Sequence, residues 1–303
     1  MVDQFTKKEI EKISYDILKS SKSWGKLPTP VETIVNYSDL IVNKTVDVSK
    51  IHHGYMSKVS DSLLSALSKV RGIFDRSEKT IYLDLSQNDK KKNFVQLHEV
   101  GHGVLPWQNK TTEFVDDDQT LSLDYREQFE AEANLFASAT LFQLDRFEDE
   151  MEKLQFGLKS SMALAKLFGG SNHAAIRRFV EYSPVRCALL VLKDVSSKGE
   201  IATCTVRDYF ESPKFTKSFG QISWGKQLGF TWPFVQDYYF KKKMKFEQNL
   251  VLNTNQGNVE FQYDFLDTSY NAFVLVYPKG EKSGGKTKVI ITNTNDSVEN
   301  MII

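Results

Sequence analysis

The sequence predicts an α+β fold with a mainly helical N-terminal domain, a helical extension and a β-rich C-terminal domain. Three observations carry this reading. Apolar residues recur at helical spacing through most of the chain up to Tyr182. One strand-like run, Lys79-Thr80-Ile81-Tyr82-Leu83-Asp84-Leu85, interrupts them and leads into a long helical pattern. At Ser183-Pro184 the periodicity changes to short alternating runs separated by Gly-, Asn- and Ser-rich turns.

Phe5, Ile10, Ile13, Ile17 and Leu18 mark a first amphipathic helix. Thr29 reads as the N-cap of a second helix reaching about Tyr37, with Pro30 at the first helical position and Glu32 completing a capping box. Residues 38–76 give no clear period, and Leu63-Leu64-Ser65-Ala66-Leu67 reads equally as helix or strand. A helix is predicted from about Asp89 to Val104, ended by Pro106. A polar loop, Asn109 to Asp124, leads to another from about Tyr125 to Leu144, and residues 145–182 read as helical throughout. Five later runs read as strands, beginning at Cys187, Ile201, Val259, Phe273 and Lys288. The expected division is 1–145, 146–183 and 184–303.

At 303 residues the chain is longer than one core usually serves. Its 39 basic and 39 acidic side chains cancel, which removes the simplest warrant for a nucleic-acid or anionic-membrane partner. There is no apolar h-region at the start and no run long enough to span a bilayer. Two cysteines make no disulfide framework, so a reducing, cytoplasmic setting is expected.

The chemistry concentrates at His98-Glu99-Val100-Gly101-His102. Residues four apart on a helix stand only about 40° apart, one turn above the other, so the two imidazoles can reach one zinc ion. Glu99, beside the first histidine, can act as the proton-carrying base. Of five histidines in the chain, two fall at this spacing, and Phe94, Val95, Leu97 and Val104 offer a side to bury. A catalytic zinc usually takes three protein ligands. The third is sought in Glu127-Gln128-Phe129-Glu130-Ala131-Glu132-Ala133-Asn134, where Glu130 shares a small, apolar face with Ala133, Asn134, Ala137 and Leu141. Glu130 is favoured over Glu127. Glu132 reads as a solvated charge, and Asn134 as a group that could hold the outer nitrogen of a ligand histidine.

These two segments, His98 to His102 and Glu130 to Ser138, resemble the ImmA/IrrE family of metallopeptidases over roughly residues 10–182. The resemblance implies a zincin-like domain with His98, His102 and Glu130 as zinc ligands and Glu99 as catalytic base. It further implies a protein substrate of the helix-turn-helix repressor class, in a stress-response or mobile-element switch. One departure stands out: Leu141-Phe142-Gln143 replaces the family's usual Leu-Met-Pro, so a different exit from that helix is expected.

Other features are weighed against plainer readings. Leu164 to Phe179 resembles a helix-turn-helix with Ser171 as N-cap, yet its polar offering of Asn172, His173, Arg177 and Arg178 is thin for reading DNA. Packing against the protease core is the preferred account, with a DNA-binding or ligand-sensing regulator as the alternative function. His173 and Tyr125 are candidates for stabilising an oxyanion. His52 and His53 read as surface residues and Lys241-Lys242-Lys243 as a solvated run. The aromatic density from Phe219 to Phe240 suits a core, or a ligand pocket.

Overall fold

The computed structural model describes residues 2–47, 72–108, 123–198 and 201–284. The ambiguous run at 63–67, His52 and His53, most of the polar loop and the strand expected at Lys288 lie outside them.

The N-terminal part packs helices around a small sheet. In α1 (Gln4–Ser20) Asp3 caps the first turn, accepting from the Phe5 and Thr6 amides, and Ile10, Ser14 and Leu18 form the buried stripe. For α2 (Val31–Tyr37) the expected capping box does not form, and Pro30 stands at its start with no side-chain cap. The Thr29 hydroxyl is spent elsewhere: it donates to the Leu141 carbonyl at 2.7 Å and accepts from Gln143 Nε2 at 3.0 Å. A cap is worth about 1 kcal/mol, and leaving the Leu141 carbonyl unpaired in a dry interior would cost at least as much.

Strands β1 (Ile41–Asp47), β2 (Gly72–Asp75) and β3 (Thr80–Leu83) form a sheet in the order β1-β3-β2, with β1 parallel and β2 antiparallel to β3. Only β3 was legible in the sequence, because only β3 is largely buried. β1 has no buried position, so it carries no alternation to read. Helix α3 (Asp89–Val104) has the predicted bounds and is capped by Asn88 Oδ1, which accepts from the Lys91 amide at 3.0 Å. Helix α4 (Leu123–Leu141) lies along it, followed by α5 (Arg146–Glu152), α6 (Leu158–Phe168) and α7 (Asn172–Glu181). The unusual exit from α4 is made by Gln143 and Leu144, both at positive φ. The buried Gln143 side chain accepts from the Gly25 amide and donates to the Lys26 carbonyl, clamping the loop before α2. One apolar cluster, including Ile34, Ile81, Leu97, Val100, Phe136, Leu141 and Phe168, holds these elements together. Each such side chain contributes about 1.5–3 kcal/mol of burial.

The C-terminal part is a six-stranded antiparallel sheet of β4 (Ala188–Lys198), β5 (Ile201–Glu211), β6 (Gln227–Gly229), β7 (Met244–Thr254), β8 (Gly257–Asp267) and β9 (Ala272–Pro278). Its order is β6-β5-β4-β9-β8-β7. Helices α8 (Pro213–Phe219) and α9 (Pro233–Tyr239) cover one face, where Phe215, Phe219, Phe234 and Tyr238 pack on Leu190, Tyr263 and Val274. Much of the aromatic density is therefore core. The other face meets α6 and α7: Leu158, Ile176 and Val180 cluster with Leu189, Val191, Phe273, Leu275 and Tyr277. Covered on both sides, β4 reads as a continuous apolar run rather than an alternation. β7 escaped the sequence reading because a bulge between Lys245 and Gln248 breaks its register and several of its side chains are exposed.

Helices α6 and α7 join through Gly169 at φ +80° and the Ser171 cap. Helix α7 presents no free basic face. Arg178 is buried, donating to the Leu144 carbonyl at 3.0 Å and lying over the Tyr182 ring. Arg177 lies over Phe210 and pairs with Glu181. Among the described residues, no helix is long and apolar enough to cross a membrane.

Candidate metal centre

Helix α3 is wedged between the small sheet and α4, and glycines set both approaches. A Cβ at Gly101 would stand 3.2 Å from the Ala133 Cα and 3.2 Å from Phe136 Cδ1, so α4 can come this close only to glycine. A Cβ on Gly72 of β2 would stand 2.8 Å from Glu99 Oε1 and 2.5 Å from Val95 Cγ1. These two contacts bring the histidine face of α3 against α4 and seat Glu99 beneath the edge of β2.

Three side chains converge there. His98 Nε2 and His102 Nε2 are 3.1 Å apart. Glu130 Oε2 lies 3.3 Å from His98 Nε2, and Glu130 Oε1 lies 3.5 Å from His102 Nε2. Among the described residues this is the one group of three or more such side chains placed to hold a metal ion. The donor set fits zinc. Ligand bonds of about 2.0–2.1 Å in tetrahedral array put donor atoms about 3.3–3.4 Å apart, which is the size of the triangle observed. His98 is almost fully buried, His102 nearly so, and Glu130 opens to solvent with 38% of its side chain exposed.

The charges in this pocket press on one another. Burial pushes the Glu99 carboxyl up, against the pull of His98 and His102 and with the help of Glu130. Burial opposes charge on His102 too, but Glu130 and Glu99 outweigh it and raise its pKa. For Glu130, desolvation is overcome by hydrogen bonds and charge from His102 and His98, which hold it far below the ordinary carboxylate range. Such mutual stabilisation of two imidazoles and a carboxylate is what a cation would replace.

Several expectations need correction. Asn134 is exposed and holds no histidine. The outer nitrogen of His102 is met instead by Gln108, with Oε1 2.8 Å from Nδ1, while the buried His98 Nδ1 has no hydrogen-bond partner among the described residues. Glu132 is not a solvated charge. It is fully buried, accepting from Trp107 Nε1 at 2.7 Å, Gln108 Nε2 at 2.9 Å and Gln128 Nε2 at 2.9 Å. The physical reason is the rotation of α4. Its buried side is centred on Phe129, Ala133, Phe136 and Thr140, about 90° around the helix from Glu130. Glu130 therefore sits at the rim, Asn134 turns beyond it into solvent, and Glu132 falls between Phe129 and Phe136. That flanking by two Phe residues at i−3 and i+4 was the available signal. Gln108 follows the proline that ends α3 and had no periodic signal at all.

His173 does not serve the site. Its Nε2 lies 3.7 Å from Asp208 Oδ2 and its ring packs on Phe273, both in the C-terminal sheet. Burial, then Arg207, lowers its pKa to about 4. Tyr125 is 55% exposed and makes no described contact with the triad. Glu127 is exposed and outside the cluster.

Comparison with known proteins agrees with this geometry. Residues 61–180 match the family model described as the IrrE N-terminal-like domain, a peptidase family. A Mycobacterium tuberculosis transcriptional regulator of known structure superimposes with a TM-score of 0.52 at 12% identity, over 94% of this chain and 81% of that one. At that identity the likeness is one of fold. No curated protein matches the chain. The segment that resembles this family, residues 61–180, contributes all three converging side chains.

Proposed function

We propose that this chain is a zinc-dependent endopeptidase with a protein substrate, a helix-turn-helix transcriptional repressor, acting in the cytoplasm. The observation that carries the reading is the His98, His102 and Glu130 triangle of tetrahedral size with Glu99 buried beside it. When bound, zinc would polarise the scissile carbonyl and make water a nucleophile near neutral pH. His98, His102 and Glu130 are the residues that would hold it. The Glu99 carboxylate takes a proton from the attacking water and delivers it to the leaving amine. Its raised pKa suits a group that must hold that proton between the two transfers. Glu130, with 38% of its side chain exposed, leaves the site open to solvent on one side.

Elemental analysis of the purified chain should find one zinc per molecule, absent from His98→Ala. Incubation with a peptide library and with candidate repressors, read by mass spectrometry, should give cleavage that a chelator abolishes. A metal-free parent protein, or cleavage that survives in a metal-free form, would defeat the proposal.

A second reading, a ligand-sensing regulator, has one observation in its favour: a cleft of about 490 Å³ lined by Phe219, Ile222, Trp224, Trp232 and Leu252. A DNA-binding role has less, since the basic side chains of α7 are already engaged.

A further inference from the structure

We propose that Glu132 is a positioning residue for the metal centre, acting through Gln108 to fix the orientation of His102. The inference rests on the metal reading above and concerns side chains that the ligand motif does not include.

The argument follows hydrogen-bond polarity. The carboxylate of Glu132 can only accept, and so can the Phe129 carbonyl. Both face the same atom of Gln108, at 2.9 Å and 3.2 Å. That atom must therefore be the amide nitrogen, since turning the amide over would set its oxygen against two other oxygens. With the nitrogen so held, Gln108 Oε1 is left facing His102 Nδ1 at 2.8 Å. An oxygen there accepts, so Nδ1 carries the hydrogen. In a neutral imidazole the lone pair then lies on Nε2, the nitrogen 3.5 Å from Glu130 and 3.1 Å from His98 Nε2. One buried carboxylate thus selects the ligand form of His102.

Trp107 and Gln128 hold Glu132 in turn, one from the segment after α3 and one from α4. Gln108 and Glu132 are both fully buried, so water cannot substitute for either partner. The arrangement also ties the end of α3 to α4. The helix that supplies Glu130 thereby orients a ligand on the other helix.

The test uses the full chain and three variants. Zinc affinity is measured by competition with a chelator of known affinity. The His102 Nδ1–H is followed by ¹H–¹⁵N correlation in both zinc-loaded and metal-free protein. In the parent, this N–H should be visible and slow to exchange. Glu132→Leu removes both carboxylate oxygens, so Gln108 Nε2 loses its acceptor at 2.9 Å. It should weaken zinc binding about 10- to 100-fold and speed exchange of the N–H at least tenfold. Trp107→Phe removes a bond to Glu132 but leaves Gln108 held, so both readouts should stay parental even if the melting temperature falls. Should Glu132→Leu not fold, Gln108→Met tests the same contact to His102, because Glu132 keeps Trp107 and Gln128. Parental zinc affinity and a parental N–H in Glu132→Leu, or in Gln108→Met where that variant decides, would overturn the proposal. If the parent binds no zinc while the Nδ1–H signature responds as stated, the metal reading fails and the orientation relay stands.

Discussion

Gly101→Ala probes the contact on which the centre depends. Alanine in place of glycine inside a helix should by itself add about 1 kcal/mol of stability. Here the added Cβ meets the Ala133 Cα at 3.2 Å and Phe136 Cδ1 at 3.2 Å. Carbon pairs settle at about 3.5–4.0 Å, so α4 must retreat by about 0.3–0.8 Å. One of the two clashing groups is backbone, which cannot swing aside as a side-chain tip can. Overpacking of this kind costs about 1–3 kcal/mol, which leaves a net loss of about 1 kcal/mol and a melting temperature lower by about 2–4 °C. The larger effect falls on the metal. Glu130 lies one turn before Ala133 and retreats with it, lengthening its 3.3 Å and 3.5 Å approaches to the histidines. Zinc affinity should fall about tenfold or more, a coordination shift of this size being worth about 1.4 kcal/mol. Thermal melting with and without zinc, together with chelator competition, reads both effects. A variant as stable as the parent with unchanged zinc affinity would show that the α3–α4 contact is slack and that the reasoning fails.

Further outcomes follow from the same geometry. Glu99→Gln keeps nearly the shape of the side chain but cannot take up a proton. It should retain zinc by elemental analysis and lose about 10²–10⁴ in cleavage rate, and parental turnover would refute the role. Burial pushes the Cys187 thiol to about 12 and the Cys204 thiol to about 11. Both raised values keep the neutral thiol at pH 8, so alkylation followed by mass spectrometry should label neither in native protein and both in denaturant. Truncation after Tyr182 should leave a folded fragment that binds zinc. It should also aggregate more readily, because Leu158, Ile176 and Val180 lose their cover. A fragment without helical circular dichroism would instead show that the two parts share one folding unit.

By itself the sequence determined the features that are local and periodic. The bounds of α3, the histidine pair one turn apart, Glu99 beside them, the Ser171 cap and the change of texture at Ser183 all follow from residue spacing along one element. It also singled out Glu130, because a carboxylate among Ala133, Ala137 and Leu141 demands a partner. Tertiary structure decided whatever depends on how an element is rotated and on what it meets. The face of α4 centred on Phe136 put Glu132 inside and Asn134 outside, a choice its own periodicity leaves ambiguous by about a quarter turn. Gln108 gained its place at His102 from the turn after Pro106, and Thr29 gave up its cap for a carbonyl that comes within reach only when α4 docks. β1 is exposed and β7 is bulged, so neither leaves the alternation by which a strand is read. Helical spacing records the side an element buries, and hydrogen-bond partners distant in sequence are fixed only when the elements pack.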